Sequence, residues 1–143
     1  MEKKIFSAFY ESLHGYAPFP WQIELARRVA DGRWPDALNL PTSSGKTAVV
    51  DVWLWAHAMG VLGAPRRLYY VIDRRLLVDA VADYAQALFA RSGVVGQVVR
   101  LRGGLGAKDD AWMLNPAGLT LVSTTLDQLG SRLLCRAYGA SRW

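Results

Sequence analysis

The spacing of apolar residues changes several times along the chain, and each spacing predicts a helix or a strand. Within residues 73–93 apolar positions recur every three or four residues, which predicts an amphipathic helix. Residues 21–30 also suit a helix, with Pro20 at its start and Gly32 just past its end. Residues 46–60 are apolar on nearly every side, as expected for a helix inside a layered domain.

Short runs of apolar, β-branched and aromatic residues between these helices predict strands. They lie at residues 37–40, 66–72, within 94–104, and at 119–125, with a loop over 103–116 and a last helix over 125–138. Strands that alternate with helices through short connections indicate an α/β fold, a parallel sheet with helices on both faces. Ligands bind such sheets at the carboxyl ends of the strands. We also expect the fourth strand to form an exposed sheet edge.

Composition narrows the functional classes only a little. The 143 residues suit one domain, and 52% hydrophobic with 20% charged residues argues against disorder. A net charge of +5 favours an anionic partner such as nucleic acid, although a solvated basic surface has the same charge. Cys135 is the single cysteine, which excludes an internal disulfide and a cysteine zinc site. Without a signal peptide or a membrane-length apolar run, the chain is expected in the cytoplasm.

Residues 41–47, PTSSGKT, carry the elements of a phosphate-binding (Walker A) loop. Such a loop presents backbone N–H groups at a helix N-terminus, a glycine at a tight turn, a lysine for phosphate and a hydroxyl for Mg²⁺. The alternative is a plain turn in which Ser43 or Ser44 caps the helix. The predicted ATP-binding residues of the loop are Thr42, Ser43, Ser44, Gly45, Lys46, Thr47 and Ala48, with catalytic roles for Lys46 and Thr47 and Mg²⁺ bound by Thr47.

The same segment resembles the PTGSGKT loop of superfamily 2 helicases of the DEAD/DEAH type, with Ser43 where that family usually has glycine. Upstream, FPWQIELARRVADG resembles the adenine-recognising Q motif. The resemblance implies that Gln22 pairs with adenine and that Tyr16, Phe19 or Trp21 stacks on the ring. The alternative for Gln22 is a solvent-facing residue in the first turn of a helix.

Three further segments resemble the helicase elements that touch nucleic-acid backbone. YYVIDRRLLVDAVADYA resembles motif Ia, LRGG a glycine pair, and LVSTTLDQLGSRLL motif Ib. The resemblance implies contacts from Arg74, Arg75, Gly103, Gly104, Ser123, Thr124 and Thr125. The alternatives are a capped helix with a solvated basic end, a flexible loop, and a threonine that serves only as an N-cap.

Within superfamily 2, the strings VIDRRLLVD, STTLDQLGSRLL and AYGASR are most similar to the helicase–nuclease of type I CRISPR interference systems, which act in antiviral defence. This similarity implies the N-terminal part of a RecA-like helicase domain, divided into residues 1–36 with the Q motif and 37–143 with the phosphate loop. It implies an ATP hydrolase that moves on single-stranded nucleic acid, with DNA the expected substrate, and a CRISPR surveillance complex as a candidate partner.

The acidic box and the second RecA-like domain of such helicases do not occur in these residues. Asp109 and Asp110 lack the preceding apolar strand, and we expect them to be solvent-exposed. Little ATPase activity is therefore expected from this chain alone. His14 in a loop and His57 in a buried helix are not expected to form a metal centre. The alternatives are a non-catalytic nucleotide- or DNA-binding module derived from a helicase, and another P-loop enzyme such as a small kinase.

Overall fold

A computed structural model describes residues 5–101 and 111–134, which fall into two compact units. The first unit comprises residues up to Pro65 together with Leu88–Val94, and the second comprises Arg66–Ala87 and the residues from Val95 onward. The predicted boundary between residues 36 and 37 therefore does not coincide with the division in the structure. The phosphate loop belongs to the first unit, with the Q-motif segment.

The described part of the first unit is built from helices. They are α1 (Phe6–His14), α2 (Pro20–Ala30), α3 (Val49–Ala58) with a 3₁₀ turn over Lys46–Ala48 before it, and the C-terminal end of α4 (Arg75–Ser92). Pro20 opens α2 and the buried stretch 50–56 lies in α3, so both predicted helices are confirmed. Helix α1 was not predicted, although its buried residues Phe6, Phe9, Tyr10 and Leu13 have helical spacing.

Residues 37–40 do not form the predicted strand. Ala37, Leu38 and Asn39 are exposed, and the described part of the first unit contains no strand at all. A strand is stable only when a neighbour accepts and donates its backbone hydrogen bonds, and a short apolar run does not supply that neighbour. The phosphate loop therefore follows an irregular segment rather than a strand end.

The second unit contains a three-stranded parallel sheet of β1 (Arg67–Ile72), β2 (Gln97–Leu101) and β3 (Thr120–Thr125). The order is β1-β3-β2, and Val122 is the register partner of both Tyr69 and Val99. The prediction of an α/β fold with a parallel sheet is confirmed for these three strands. The expectation that the fourth predicted strand lies at an edge is wrong, because β3 is central and all of its residues are buried.

Helical residues pack on both faces of β3. On one face, the hydroxyl of Ser123 donates to the carbonyl of Val78 in α4 (Arg75–Ser92). On the other face, Trp112 of α5 (Ala111–Leu114) packs in one cluster with Val122. Residues 111–114 were predicted as loop, and α6 (Leu126–Leu133) confirms the start of the last predicted helix. None of the helices within the described ranges has the length and hydropathy to cross a bilayer.

Candidate nucleotide-binding loop

The backbone of the phosphate loop turns left-handed twice within three residues. Ser43 has φ 60° and Gly45 has φ 71°. The 3₁₀ turn Lys46–Ala48 starts directly after Gly45 and continues into α3. Left-handed residues next to right-handed ones aim successive N–H groups into a concavity that suits anions. The first N–H groups of a helix also lack acceptors within the helix, so the two positive-φ residues and the start of the turn are features that phosphate-binding loops share.

Ser43 adopts the conformation that a glycine would take at this position. Among the described residues it is the only non-glycine with a positive φ. The left-handed conformation costs a residue with a Cβ about 1–2 kcal/mol. The sequence comparison with PTGSGKT places glycine at this same residue. The backbone of this chain thus keeps the turn that the glycine would permit, with a serine in it.

The serines of the loop do not cap the helix, so the plain N-cap alternative is wrong. Gly45 occupies the N-cap position of the 3₁₀ turn, and no side chain makes a capping hydrogen bond there. The hydroxyl of Ser44 donates instead to the carbonyl of Pro41, at 2.8 Å. The serine side chain closes the turn of the loop and makes no capping hydrogen bond to the 3₁₀ turn.

Two side chains at the start of α2 hold consecutive carbonyls of the loop. Trp21 donates its indole N–H to the carbonyl of Ser44 at 2.8 Å, and Gln22 donates its amide N–H to the carbonyl of Gly45 at 3.4 Å. The amide oxygen of Gln22 accepts from the backbone N–H of Phe19 at 2.9 Å. The N-terminus of α2 is therefore bonded directly to the phosphate loop.

Gln22 is 1% exposed, so the alternative of a solvent-facing residue is wrong. Both ends of its amide are engaged by backbone groups of the same unit. The predicted pairing with adenine would require one of these two hydrogen bonds to be exchanged. In this arrangement Gln22 links the cap of α2 to Gly45.

Gly45 has a positive φ and also lies in close surroundings. A Cβ at this position would lie 3.2 Å from the amide nitrogen of Gln22 and 3.2 Å from Cε2 of Phe19. Contacts this short would displace the ring or the amide. The close approach of loop and α2 therefore depends on the missing side chain.

A shallow groove of about 420 Å³ runs beside the loop. It is lined by Phe19, Pro20, Trp21, Ser43 and Ser44. Its size is at the lower end of the range for small-molecule sites, and aromatic side chains next to a few polar groups are typical of such sites. Of the three aromatic candidates for stacking, the structure brings Phe19 and Trp21 to the groove. Tyr16 packs instead against Tyr10 and His14.

The two side chains predicted for phosphate and Mg²⁺ lie on the turn after Gly45. Lys46 is exposed, and no carboxylate in the described ranges pairs with it. Thr47 is half-buried, and Ala48 is buried at the start of α3. An exposed ammonium next to a hydroxyl and a helix N-terminus fits the donor set that a nucleoside triphosphate with Mg²⁺ requires.

The predicted nucleic-acid contacts separate into accessible and buried groups. Arg74 and Arg75 are exposed at the start of α4. Ser123 and Thr124 are fully buried, because β3 is the central strand and both of its faces are covered. Their hydroxyls donate to the carbonyls of Val78 and Thr125. This arrangement leaves neither hydroxyl for a phosphate.

The remaining residues predicted to contact nucleic acid are Thr125, Gly103 and Gly104. Thr125 is 8% exposed and is the N-cap residue of α6, but its side chain makes no capping hydrogen bond. Gly103 and Gly104, like Asp109 and Asp110, lie outside the described residues. Arg74 and Arg75 are therefore the predicted nucleic-acid residues that the structure places at the surface.

Sequence analysis missed a polar pair inside the first unit. His14 ends α1 rather than lying in a loop, and its Nε2 lies 2.7 Å from Oδ1 of the fully buried Asp51 in α3. Burial raises the pKa of the neighbouring Tyr10 hydroxyl well above its ordinary value, and a hydrogen bond with Tyr16 and the charges of Tyr16 and Asp51 act in the same direction. The one available signal was a carboxylate within an otherwise apolar helix.

The second histidine behaves as predicted, as a satisfied residue of α3. Nε2 of His57 lies 3.0 Å from the carbonyl of Pro65, and its ring packs edge-on against Trp53. No protein-family model, curated protein or solved structure matches the chain. The function is therefore inferred from the loop, its two braces on α2 and the neighbouring groove, together with the motif resemblance.

Proposed function

We propose that residues 42–48 bind ATP with Mg²⁺ and that the chain belongs to a RecA-like, ATP-dependent nucleic-acid helicase or translocase. The observation that carries this proposal is the loop with left-handed Ser43 and Gly45, braced at the carbonyls of Ser44 and Gly45 by Trp21 and Gln22. A turn that only connects two helices needs neither the two positive-φ residues nor the braces. The similarity to the type I CRISPR helicase–nuclease favours single-stranded DNA as the nucleic acid along which the protein moves.

The backbone after Gly45 and the side chains of Lys46 and Thr47 have separate tasks in this proposal. The backbone N–H groups after Gly45 donate to the phosphate oxygens, and the ammonium of Lys46 donates to the β- and γ-phosphates. The hydroxyl of Thr47 is the side-chain ligand for Mg²⁺, whose charge neutralises the phosphates when it is bound. The groove between Phe19 and Trp21 receives the base, because aromatic faces stack on a flat ring without regard to its hydrogen-bonding pattern.

The braces from α2 favour the helicase proposal over another P-loop enzyme such as a small kinase. They use Trp21 and Gln22, the third and fourth residues of the segment that resembles the Q motif. A kinase would not explain why the residues upstream of the loop hold its carbonyls. A non-catalytic nucleotide-binding module would keep the same braces, so measurement of ATP hydrolysis in the longest natural form of the protein distinguishes these two.

Replacement of Lys46 with alanine is expected to weaken ATP binding by about ten- to a hundredfold, because one charge-assisted hydrogen bond contributes about 1.5–3 kcal/mol. The measurement is a titration with a fluorescent ATP analogue in Mg²⁺, read by energy transfer from tryptophan. Arg33→Ala is the control, since Arg33 is an exposed cation of the same unit that pairs with Asp31. The proposal fails if the unmodified chain binds no nucleotide, or if both variants bind equally well.

We further propose that Arg74 and Arg75 contact the backbone of single-stranded DNA. Both are exposed at a helix start, and no described carboxylate forms an ion pair with them, although the exposed Asp73 adjoins them. Backbone N–H groups at a helix N-terminus add to the attraction for phosphate. The similarity to motif Ia supports the same assignment.

Replacement of both arginines with alanine is expected to lower the affinity for a fluorescent deoxythymidine oligonucleotide and to reduce the salt slope by about 0.7 for each lost phosphate contact. Anisotropy titrations at several salt concentrations measure both quantities. The matched control is Arg27→Ala with Arg28→Ala, which removes the same charge from a pair bonded to Glu24. Equal losses in the two double variants would show that only net charge matters and would contradict the proposal.

A further inference from the structure

The pair of His14 and Asp51 joins the last residue of α1 to the first turn of α3 in the interior of the first unit. The Nε2–Oδ1 distance is 2.7 Å, the side chain of His14 is 9% exposed and Asp51 is fully buried. The ring of Tyr10 lies over the imidazole at a centroid distance of 4.3 Å. The pair is thus held from both of its helices and from one aromatic face.

Asp51 lies close to the phosphate loop along the chain. It follows Thr47 by four residues, and the 3₁₀ turn that contains Thr47 runs directly into α3. Residues four apart lie on one side of a helix, about one turn from each other. A bond that fixes Asp51 therefore fixes the rotation of the helical segment on which Lys46 and Thr47 sit.

Helix α1 has two further contacts, one to α3 itself and one to Arg91 at the C-terminal end of α4. Phe6 packs edge-on against Trp55 at a centroid distance of 5.7 Å. The guanidinium of Arg91 donates to the carbonyl of Leu13, next to His14, at 3.2 Å. The imidazole thus extends from a backbone segment that two further contacts hold in place.

A buried polar pair with a carboxylate is a poor way to gain stability, because desolvation of its polar groups offsets most of their attraction. An apolar pair of similar volume is often as stable or more stable, whereas the loss of one partner leaves a buried charge. What a hydrogen-bonded pair adds over an apolar pair is a defined direction and distance. The pair lies one turn after the phosphate loop, so the segment that it can align is the one that carries the last residues of the loop.

We infer that His14 and Asp51 are positioning residues for the nucleotide site. Their hydrogen bond sets the orientation of the first turn of α3 and thereby aims the Thr47 hydroxyl and the N–H groups of Lys46 and Thr47 at the bound phosphates and Mg²⁺. The inference rests on the proposed ATP site at residues 42–48. It adds a contact between α1 and α3 that no motif of the sequence contains.

The test compares variants that keep the hydrogen bond with variants that remove it. His14→Gln places an amide N–H near the former Nε2 and retains the bond to Asp51. His14→Leu removes the donor, and the double variant His14→Leu with Asp51→Leu removes both polar groups without leaving a buried charge, so we expect it to fold even if the single leucine variant does not. His57→Leu is the matched control, because His57 lies at the other end of α3 and bonds the carbonyl of Pro65.

Two quantities are measured: the factor by which Mg²⁺ raises ATP-analogue affinity, and hydrogen exchange of residues 43–48 without nucleotide. We expect the double leucine variant to lose about tenfold in the Mg²⁺-dependent factor, the usual effect of losing a group that orients a metal ligand. Exchange at residues 43–48 should become faster in the same variant. His14→Gln and His57→Leu should match the unmodified chain in both quantities, whatever their melting temperatures.

A folded double leucine variant with unchanged Mg²⁺ factor and exchange would overturn the inference, since the pair would then serve only packing. Equal losses in His14→Gln and the double leucine variant would also overturn it, because the retained hydrogen bond should rescue the site. If the unmodified chain binds no nucleotide, the proposed function fails first, and the exchange of residues 43–48 still tests the alignment of the loop. The failures of the two proposals are thereby distinguishable.

Discussion

Replacement of Gly45 with alanine is expected to destabilise the first unit by about 2–3 kcal/mol and to abolish ATP-analogue binding. Left-handed backbone costs alanine about 1–2 kcal/mol, and displacement of close-packed neighbours adds about 1 kcal/mol. The neighbours are Gln22 and Phe19, both 3.2 Å from the new Cβ. Because Gln22 braces the loop and Phe19 lines the groove, their displacement alters the site as well as the stability. Urea denaturation and the nucleotide titration measure the two effects.

Gly63→Ala is the matched control for the backbone part of this effect. Gly63 has φ 78°, close to the 71° of Gly45, but nothing lies within 4 Å of its ideal Cβ. Its replacement should cost only the left-handed part, about 1–2 kcal/mol, and should leave ATP binding unchanged. If the two variants lose the same stability and bind ATP equally, the contact between the loop and α2 has no influence on the site.

Replacement of Trp53 with alanine is expected to lower the free energy of unfolding by about 3–5 kcal/mol, the range for truncation of a buried aromatic residue. Trp53 is 0% exposed in the middle of α3. Its ring packs edge-on against His57 and Phe89, and its indole N–H donates to the carbonyl of Pro65 at 2.6 Å. Domains have about 5–15 kcal/mol of stability in total, so the variant should be close to unfolding at room temperature. Urea denaturation followed by circular dichroism measures the change.

Trp53→Phe separates the ring from its hydrogen bond. Phenylalanine keeps an aromatic ring in the core but cannot donate to the carbonyl of Pro65, so we expect a loss of about 1–2 kcal/mol. A phenylalanine variant as unstable as the alanine variant would show that the indole N–H, rather than the packed ring, stabilises this part of the unit. An alanine variant of unchanged stability would contradict the assignment of Trp53 to the core.

Local patterns predicted the element types well, because helix period and strand propensity act over a few residues. The helix over Pro20–Ala30 and the strand over Arg67–Ile72 are examples. Residues 37–40 failed because strand formation depends on a partner elsewhere in the chain. For the same reason the central position of β3 was not predictable, and with it the burial of Ser123 and Thr124.

At the candidate site, the residue types and the turn were predictable but the contacts between segments were not. Gly45, Lys46 and Thr47 lie on one continuous turn, as their spacing predicts. The burial of Gln22 depends on how closely α2 approaches the loop, which no single segment specifies. His14 and Asp51 meet across 37 positions of sequence, and a single sequence contains no sign that they are partners.

The strand order β1-β3-β2 also determines when the sheet can form. The first two strands are bonded to β3 and not to each other, so neither has its partner until Thr120–Thr125 is available. Contacts between residues far apart in sequence slow folding, because a long loop must lose its conformational entropy before the compensating hydrogen bonds can form. During synthesis, β1 and β2 leave the ribosome as unpaired strands whose apolar residues can join a neighbouring chain. We therefore expect the yield of folded protein to depend more on growth temperature and translation rate than on the free energy of unfolding of the folded state.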